Sequence, residues 1–226
     1  GSLSVQATAS SANAQGIVSF ITVGDVTNSG SLVVEANSED GFAGAGGITT
    51  FLTISGDFGE IGEDIGGRIL NSGSLEVDAE GEAASAVGIA SVFAAHEDAG
   101  ELVSNSGTIT VDATGDVEAD ATGILGEDLY GAIDSSGDIS VTATSATGSA
   151  SATGIDVGFG EDAETLGISP PGQQEIVVSM NVDSTASSIT NGGEILVQAT
   201  GATLAEASGI AGEDFFGDIT NTGEIS

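Results

Sequence analysis

A turn that returns six times, three alternating apolar patterns in each interval and a glycine at every change of pattern predict an all-β chain. The class they point to is a parallel β-solenoid (β-helix) of about six coils, each with three short strands. The turn and its strand read "NSGSLVVEA" from Asn28, "NSGSLEVDA" from Asn71, "NSGTITVDA" from Asn105, "SSGDISVTA" from Ser135, "NGGEILVQA" from Asn191 and "NTGEIS" from Asn221. The intervals are 43, 34, 30, 56 and 30 residues.

The first strand of each unit follows the turn and alternates strictly, as in Ile109, Val111 and Ala113 against Thr110 and Asp112. The second reads A-x-A-x-G-I: "ADATGI" at 119–124, "ASATGI" at 150–155 and "AEASGI" at 205–210, with looser "NAQGI" at 13–17 and "SAVGI" at 85–89. The third is a short G-x-I-x-N, as in "GDVTN" at 24–28, "GRILN" at 67–71, "GAIDS" at 131–135 and "GDITN" at 217–221, and it runs into the next turn. Period two is the spacing of a strand with one face buried. Stacked about 4.8 Å apart, six such units would make a rod about 30 Å long with Ile, Val, Leu and Ala inside. A narrow interior explains why aromatics are only 4% of the chain.

Alanine is common enough to raise a helical reading, but strict alternation, β-branched residues and frequent glycine oppose it. A β-sandwich is the stronger rival. It needs hairpin connections of regular type, whereas here one turn sequence recurs in one phase of every unit, as parallel stacking demands.

Stacking gives the turn asparagines a role. The amides of Asn28, Asn71, Asn105, Asn191 and Asn221 are expected to bond one another in a file along one corner. The glycines two positions on, Gly30, Gly73, Gly107, Gly137, Gly193 and Gly223, are expected to take positive φ. They are not phosphate loops, since no G-x-G-x-x-G follows a strand and opens a helix.

Lys plus Arg totals 1 (Arg68) against 35 Asp plus Glu, a net charge of −34. With nothing to neutralise phosphates, a nucleic-acid partner is not expected. Such a charge suggests disorder in a polar chain, but 39% hydrophobic residues in period point to order. The surface is expected to attract cations or basic partners and to be repelled by anionic membranes. Without cysteine, stability has to come from packing and backbone ladders. No run of about 18 apolar residues occurs, so no membrane insertion is expected in this segment, nor is a signal peptide evident. Residues 222–226 open a further unit, so 1–226 reads as a single segment of a longer repeat protein.

Length varies at one corner, between the Gly-Ile of the second strand and the G-x-I-x-N of the third. The step is 7 residues from Ile17 to Gly24, Ile124 to Gly131 and Ile210 to Gly217, but 11 from Ile89 to Gly100, 19 from Ile48 to Gly67 and 32 from Ile155 to Ser187. Loops of a solenoid gather on the face that differs most in use. The same corner carries acidic doublets: Glu63-Asp64, Glu97-Asp98, Glu127-Asp128, Glu161-Asp162 and Glu213-Asp214. Neighbouring doublets repel by about 1 kcal/mol per charge pair even in water. Calcium, which favours carboxylate and carbonyl oxygens, is the cation that would relieve this. The competing reading is a solvated acidic corner, since neither the calcium nonapeptide G-G-x-G-x-D nor an EF-hand spacing occurs. Leu129-Tyr130 and Phe215-Phe216, just after two doublets, read as caps on the core.

The longest insertion, 156–186 within the fifth coil, contains "GISPPGQQEIVVSMNVDS". Pro170-Pro171-Gly172 makes a turn and Ile176-Val177-Val178 an extra strand, so a flap or small hairpin is expected, read either as a contact surface for another molecule or as a packed side loop with no partner.

Cleavage of an acidic polysaccharide needs cations to hold a uronate and a base to remove its proton. Arg68 and His96 are the only candidates, and His96 reads as a surface residue of an acidic loop. Carboxylate pairs that recur in most coils do not mark one glycosidase centre, and one histidine builds no Ser-His-Asp set. No catalytic residues are therefore assigned.

The repeats "ITNSGSLVVEA", "NSGTITVDATG" and "ADATGI" resemble those of large secreted bacterial β-helix proteins, including autotransporter passenger and haemagglutinin-like adhesins. The resemblance covers nearly all of the chain outside 156–186. It implies export, an extracellular or cell-surface location, and a role in attachment, matrix or display toward a cell-surface or glycan receptor. The expected function is a structural or adhesive rod, joined end to end through its terminal strands. The alternative is a polysaccharide-binding or polysaccharide-degrading β-helix module, which should show one pocket with a unique set of polar groups.

Overall fold

The computed structural model describes residues 1–20, 22, 24–51, 53–55, 67–96, 101–158, 166–168, 176–178, 188–213 and 217–226. Strand makes up 80% of these residues and there is no helix among them. Two large sheets are wholly parallel; a third is a two-stranded antiparallel ribbon.

The first pattern forms strands Ser2–Ala9, Ser31–Ser38, Asp138–Ser145, Glu194–Thr200 and Glu224–Ile225, and the opening halves of Ser74–His96 and Thr108–Tyr130. Each pairs with the copy before it and the copy after it. Leu3, Leu32, Leu75, Ile109, Ile139, Ile195 and Ile225 thus stand in one file without a slip in register. The second pattern does the same in Ala12–Ser19, Phe42–Thr50, Ser149–Gly158, Leu204–Glu213 and the closing halves of the two long strands, with Ile17, Ile48, Ile89, Ile124, Ile155 and Ile210 in file. The third pattern makes the six-stranded sheet of Val26–Asn28, Ile69–Asn71, Glu101–Asn105, Ala132–Ser135, Ser188–Asn191 and Asp218–Asn221, in strict sequence order.

Ser74–His96 and Thr108–Tyr130 each run 23 residues, so in these repeats the first corner is not a break between strands. The backbone goes on pairing through Gly81 and Gly115, and the register shifts only between Gly115 and Glu118.

Residues from all three patterns join one buried cluster. Alternation delivers them: Ser31–Ser38 buries every second side chain. It breaks at the Gly-Ile of the second pattern, where both neighbours are buried, as in Gly88-Ile89 and Gly123-Ile124. The chain bends inward there. A Cβ on Gly88 would stand 2.5 Å from the carbonyl oxygen of Gly123 and 2.8 Å from Ile109 Cγ2, so only glycine lets the second pattern approach the branched side chains of the first.

The turn glycines correct an expectation. None of Gly30, Gly73, Gly107, Gly137, Gly193 and Gly223 has positive φ; the one described glycine that does, Gly131, is almost fully extended at 158°. The constraint is axial crowding. A Cβ on Gly107 would lie 2.0 Å from the carbonyl oxygen of Gly73, and one on Gly137 would lie 1.9 Å from that of Gly107. Backbone stacks directly on backbone, which no side chain permits.

In the long insertion, Leu166–Ile168 and Ile176–Val178 form the antiparallel ribbon, pairing Leu166 with Val178 and Ile168 with Ile176. The expected extra strand, Ile176–Val178, is present. The Pro170-Pro171-Gly172 turn lies outside the described residues.

Candidate functional site

At the turn corner, alternation buries Asn28, Asn71, Asn105, Ser135 and Asn191 at the ends of their third-pattern strands, Asn221 in the last repeat being exposed, and the stacked register brings these residues into contact. Asn28 Nδ2 donates to Asn71 Oδ1 at 2.8 Å, Asn71 Nδ2 to Asn105 Oδ1 at 2.8 Å, and Asn191 Nδ2 to Asn221 Oδ1 at 2.8 Å. Backbone bonds reinforce each step: the N–H groups of Ser106 and Gly107 both donate to the Asn71 carbonyl, at 2.8 and 3.1 Å. Ser135 interrupts the file. Its hydroxyl accepts from Asn105 Nδ2 at 3.2 Å and donates to the Gly137 carbonyl at 3.3 Å. Asn191 Oδ1 is left buried without a partner among the described residues.

Of the acidic doublets, Glu127 is exposed, while Asp128 and Glu213 are described only as backbone within strands. Glu63, Asp64, Glu97, Asp98, Glu161, Asp162 and Asp214 lie outside the described residues. Among the described residues no three acidic or histidine side chains are grouped so as to hold a metal. Leu129 is buried, as a core cap should be, and folds over Gly126, where a Cβ would lie 2.0 Å from its Cδ1.

Another acidic file was overlooked in the sequence. On the outward side of the first-pattern sheet, Glu35, Asp78 and Asp112 occupy one register position in successive strands, and Gln6 donates to Glu35 at the end of the row. Partial desolvation, then the charges of Asp112 and Glu35 on either side and of Glu80 and Glu76 along the strand, raise the Asp78 carboxyl above its ordinary range. The signal was present as the acid before the alanine in "VVEA", "EVDA" and "TVDA".

Arg68 makes a fork onto Asp25, with Nε to Oδ1 at 3.2 Å and Nη2 to Oδ2 at 2.9 Å. That bond, with the carboxylate charge, raises the guanidinium above its usual value. The backbone of His96 pairs with Ser55, and its side chain lies outside the described residues.

A shallow depression of about 420 Å³ lies on the outward side of the second-pattern sheet, across the first three repeats. Its floor is the backbone of Gly44 and Gly46, at positions that carry Asn13 and Gln15 in the repeat before and Ser85 and Val87 in the repeat after. Gln15 leans over Gly46, receiving a hydrogen bond from Thr49 at 3.4 Å and donating to Asn13 at 3.3 Å. Phe20 and Phe51 stack along the rim with centroids 4.8 Å apart and planes 11° from parallel, and Phe42 leans over Gly44. Phe20 is 71% exposed.

The terminal copies of each file differ from the inner ones. Leu3 is 45% and Ile225 42% exposed, whereas Leu32, Leu75, Ile109, Ile139 and Ile195 are all at 0 or 1%. In the third sheet Ile219 is 52% exposed and Ile189 1%. These are core side chains with a neighbour on one side only.

No protein-family model, curated protein or solved structure matches this chain.

Proposed function

We propose that the chain is a parallel β-solenoid, one winding per repeat around a single core, and that it serves as an extracellular structural or adhesive rod of a bacterial surface or matrix protein. In-phase stacking of all three patterns, repeat upon repeat, is the observation that carries this reading. Strictly sequential neighbours in each set are what a winding chain produces. The proposed mode of assembly is end to end, strand edge against strand edge. A cell-surface or glycan receptor is the proposed partner of the adhesive role. We read the chain as non-catalytic: its one guanidinium is engaged by Asp25, and its carboxylates repeat along the rod.

Electron microscopy of the purified chain, with calcium and with a chelator, tests the reading. Fibres or discrete rods of uniform width support it, fibres favouring assembly and rods an adhesin stalk; globular particles would overturn it. A melting temperature unchanged by chelation would remove calcium from the acidic corner.

The second reading, a polysaccharide-binding module, is favoured by the depression over Gly44 and Gly46 with its aromatic rim.

A further inference from the structure

We infer that this depression is a binding site for an uncharged glycan. The inference deepens the second reading and rests on it; its failure leaves the rod reading standing, because a rod lacking this site is still a rod.

None of the described residues lining the depression carries a charge, in a chain with 35 Asp and Glu and a net charge of −34. Elsewhere on the same outward row the repeats carry Asp120 and Glu206. The uncharged spot selects its partner by exclusion. Anionic polymers, and a second copy of this chain laid face to face, meet the repulsion of the surrounding carboxylates, while a cationic partner is drawn to them instead. A neutral ligand meets neither effect.

The shape excludes a peptide strand. Phe42–Thr50 is already paired on both sides, with Ala12–Ser19 and with Ser74–His96, so no backbone edge is open for strand addition. What remains is a flat floor of bare backbone, aromatic rings on the rim, and the amides and hydroxyl of Asn13, Gln15 and Thr49 beside them. A pyranose ring has matching chemistry: an apolar face of C–H bonds that packs on an aromatic ring, and an edge of hydroxyls that exchange hydrogen bonds with amides. The 71% exposure of Phe20 supplies that ring face.

The test is native affinity electrophoresis of the whole chain in gels containing hydroxyethyl cellulose, galactomannan or dextran, with alginate as the anionic control. At least one neutral polymer should retard the chain and alginate should not. Phe20→Ser should weaken retardation by about fivefold or more. The double substitution Gly44→Ser with Gly46→Val copies the next repeat and displaces the side-chain ends of Gln15 and Asn13 and the edge of Phe42, but no backbone; it should do the same while leaving the circular dichroism spectrum and melting temperature unchanged. The inference is overturned if no neutral polymer retards the chain, if alginate alone does, if both variants bind like the parent, or if the variants instead change the sedimentation coefficient, which would make the patch a contact between copies.

Discussion

Single residues in this chain are chosen by what stands one repeat away along the stacking direction. A turn glycine is needed because the carbonyl of the preceding turn glycine occupies the place of its Cβ, and a turn asparagine because its amide both donates to and accepts from the neighbours in file. Ser135 is the exception, and the cost falls on Asn191 Oδ1 in the next repeat. A buried acceptor without a donor costs about 1–3 kcal/mol. Ser135→Asn should therefore complete the file and stabilise the chain by about 1 kcal/mol, read as a raised urea midpoint with an unchanged slope. A lowered midpoint would show that the corner around Ser135 has no room for the amide.

Elements add a term that no single residue reveals, because in-register parallel strands place like charges side by side. Glu35, Asp78 and Asp112 are neighbours only through pairing, and partial desolvation, then the crowding of like charges, raises the Asp78 carboxyl. Asp120, desolvated and beside Glu118, is raised too. A carboxyl that holds its proton more tightly in the folded than in the unfolded chain makes stability fall as pH rises through its raised range. The window opens at the unfolded carboxylate value, near about 4, and extends upward. Melting temperature should accordingly rise as pH is lowered from neutral toward the unfolded carboxylate value. Asp78→Asn should raise the melting temperature at pH 7 and flatten that pH dependence; a variant as pH-sensitive as the parent would place the effect elsewhere.

Across the whole molecule, the worth of a core residue depends on its place in the file. Ile139 has neighbours above and below and is buried; Ile225, in the same file, is 42% exposed. Ile139→Ala should cost about 2–5 kcal/mol in urea unfolding, and Ile225→Ala about 1 kcal/mol or less. If copies join end to end, the cost of Ile225→Ala should grow with protein concentration, because assembly then supplies the missing cover. A concentration-independent difference would argue against assembly through that end.

How much was legible followed from range. Strand phases, the three patterns, the asparagine file and the extra strand within 156–186 could be read because each depends on residues close in sequence or on a motif repeated in phase. The acidic file and the depression escaped notice because they appear only when outward positions of different repeats are set side by side: Glu35 against Asp78, or Gly44 between Asn13 and Ser85. The reason for the turn glycines was misread for the same cause, since positive φ is a local property and a carbonyl of another repeat standing 2.0 Å from where a Cβ would sit is not. Sequence by itself determined that this is an all-β chain and which side chains alternate inward, since period two is written into the order of residues. Tertiary structure alone decided what meets what across repeats, because insertions of unequal length separate neighbours by 29 to 56 residues and only the backbone ladders bring them within bonding distance.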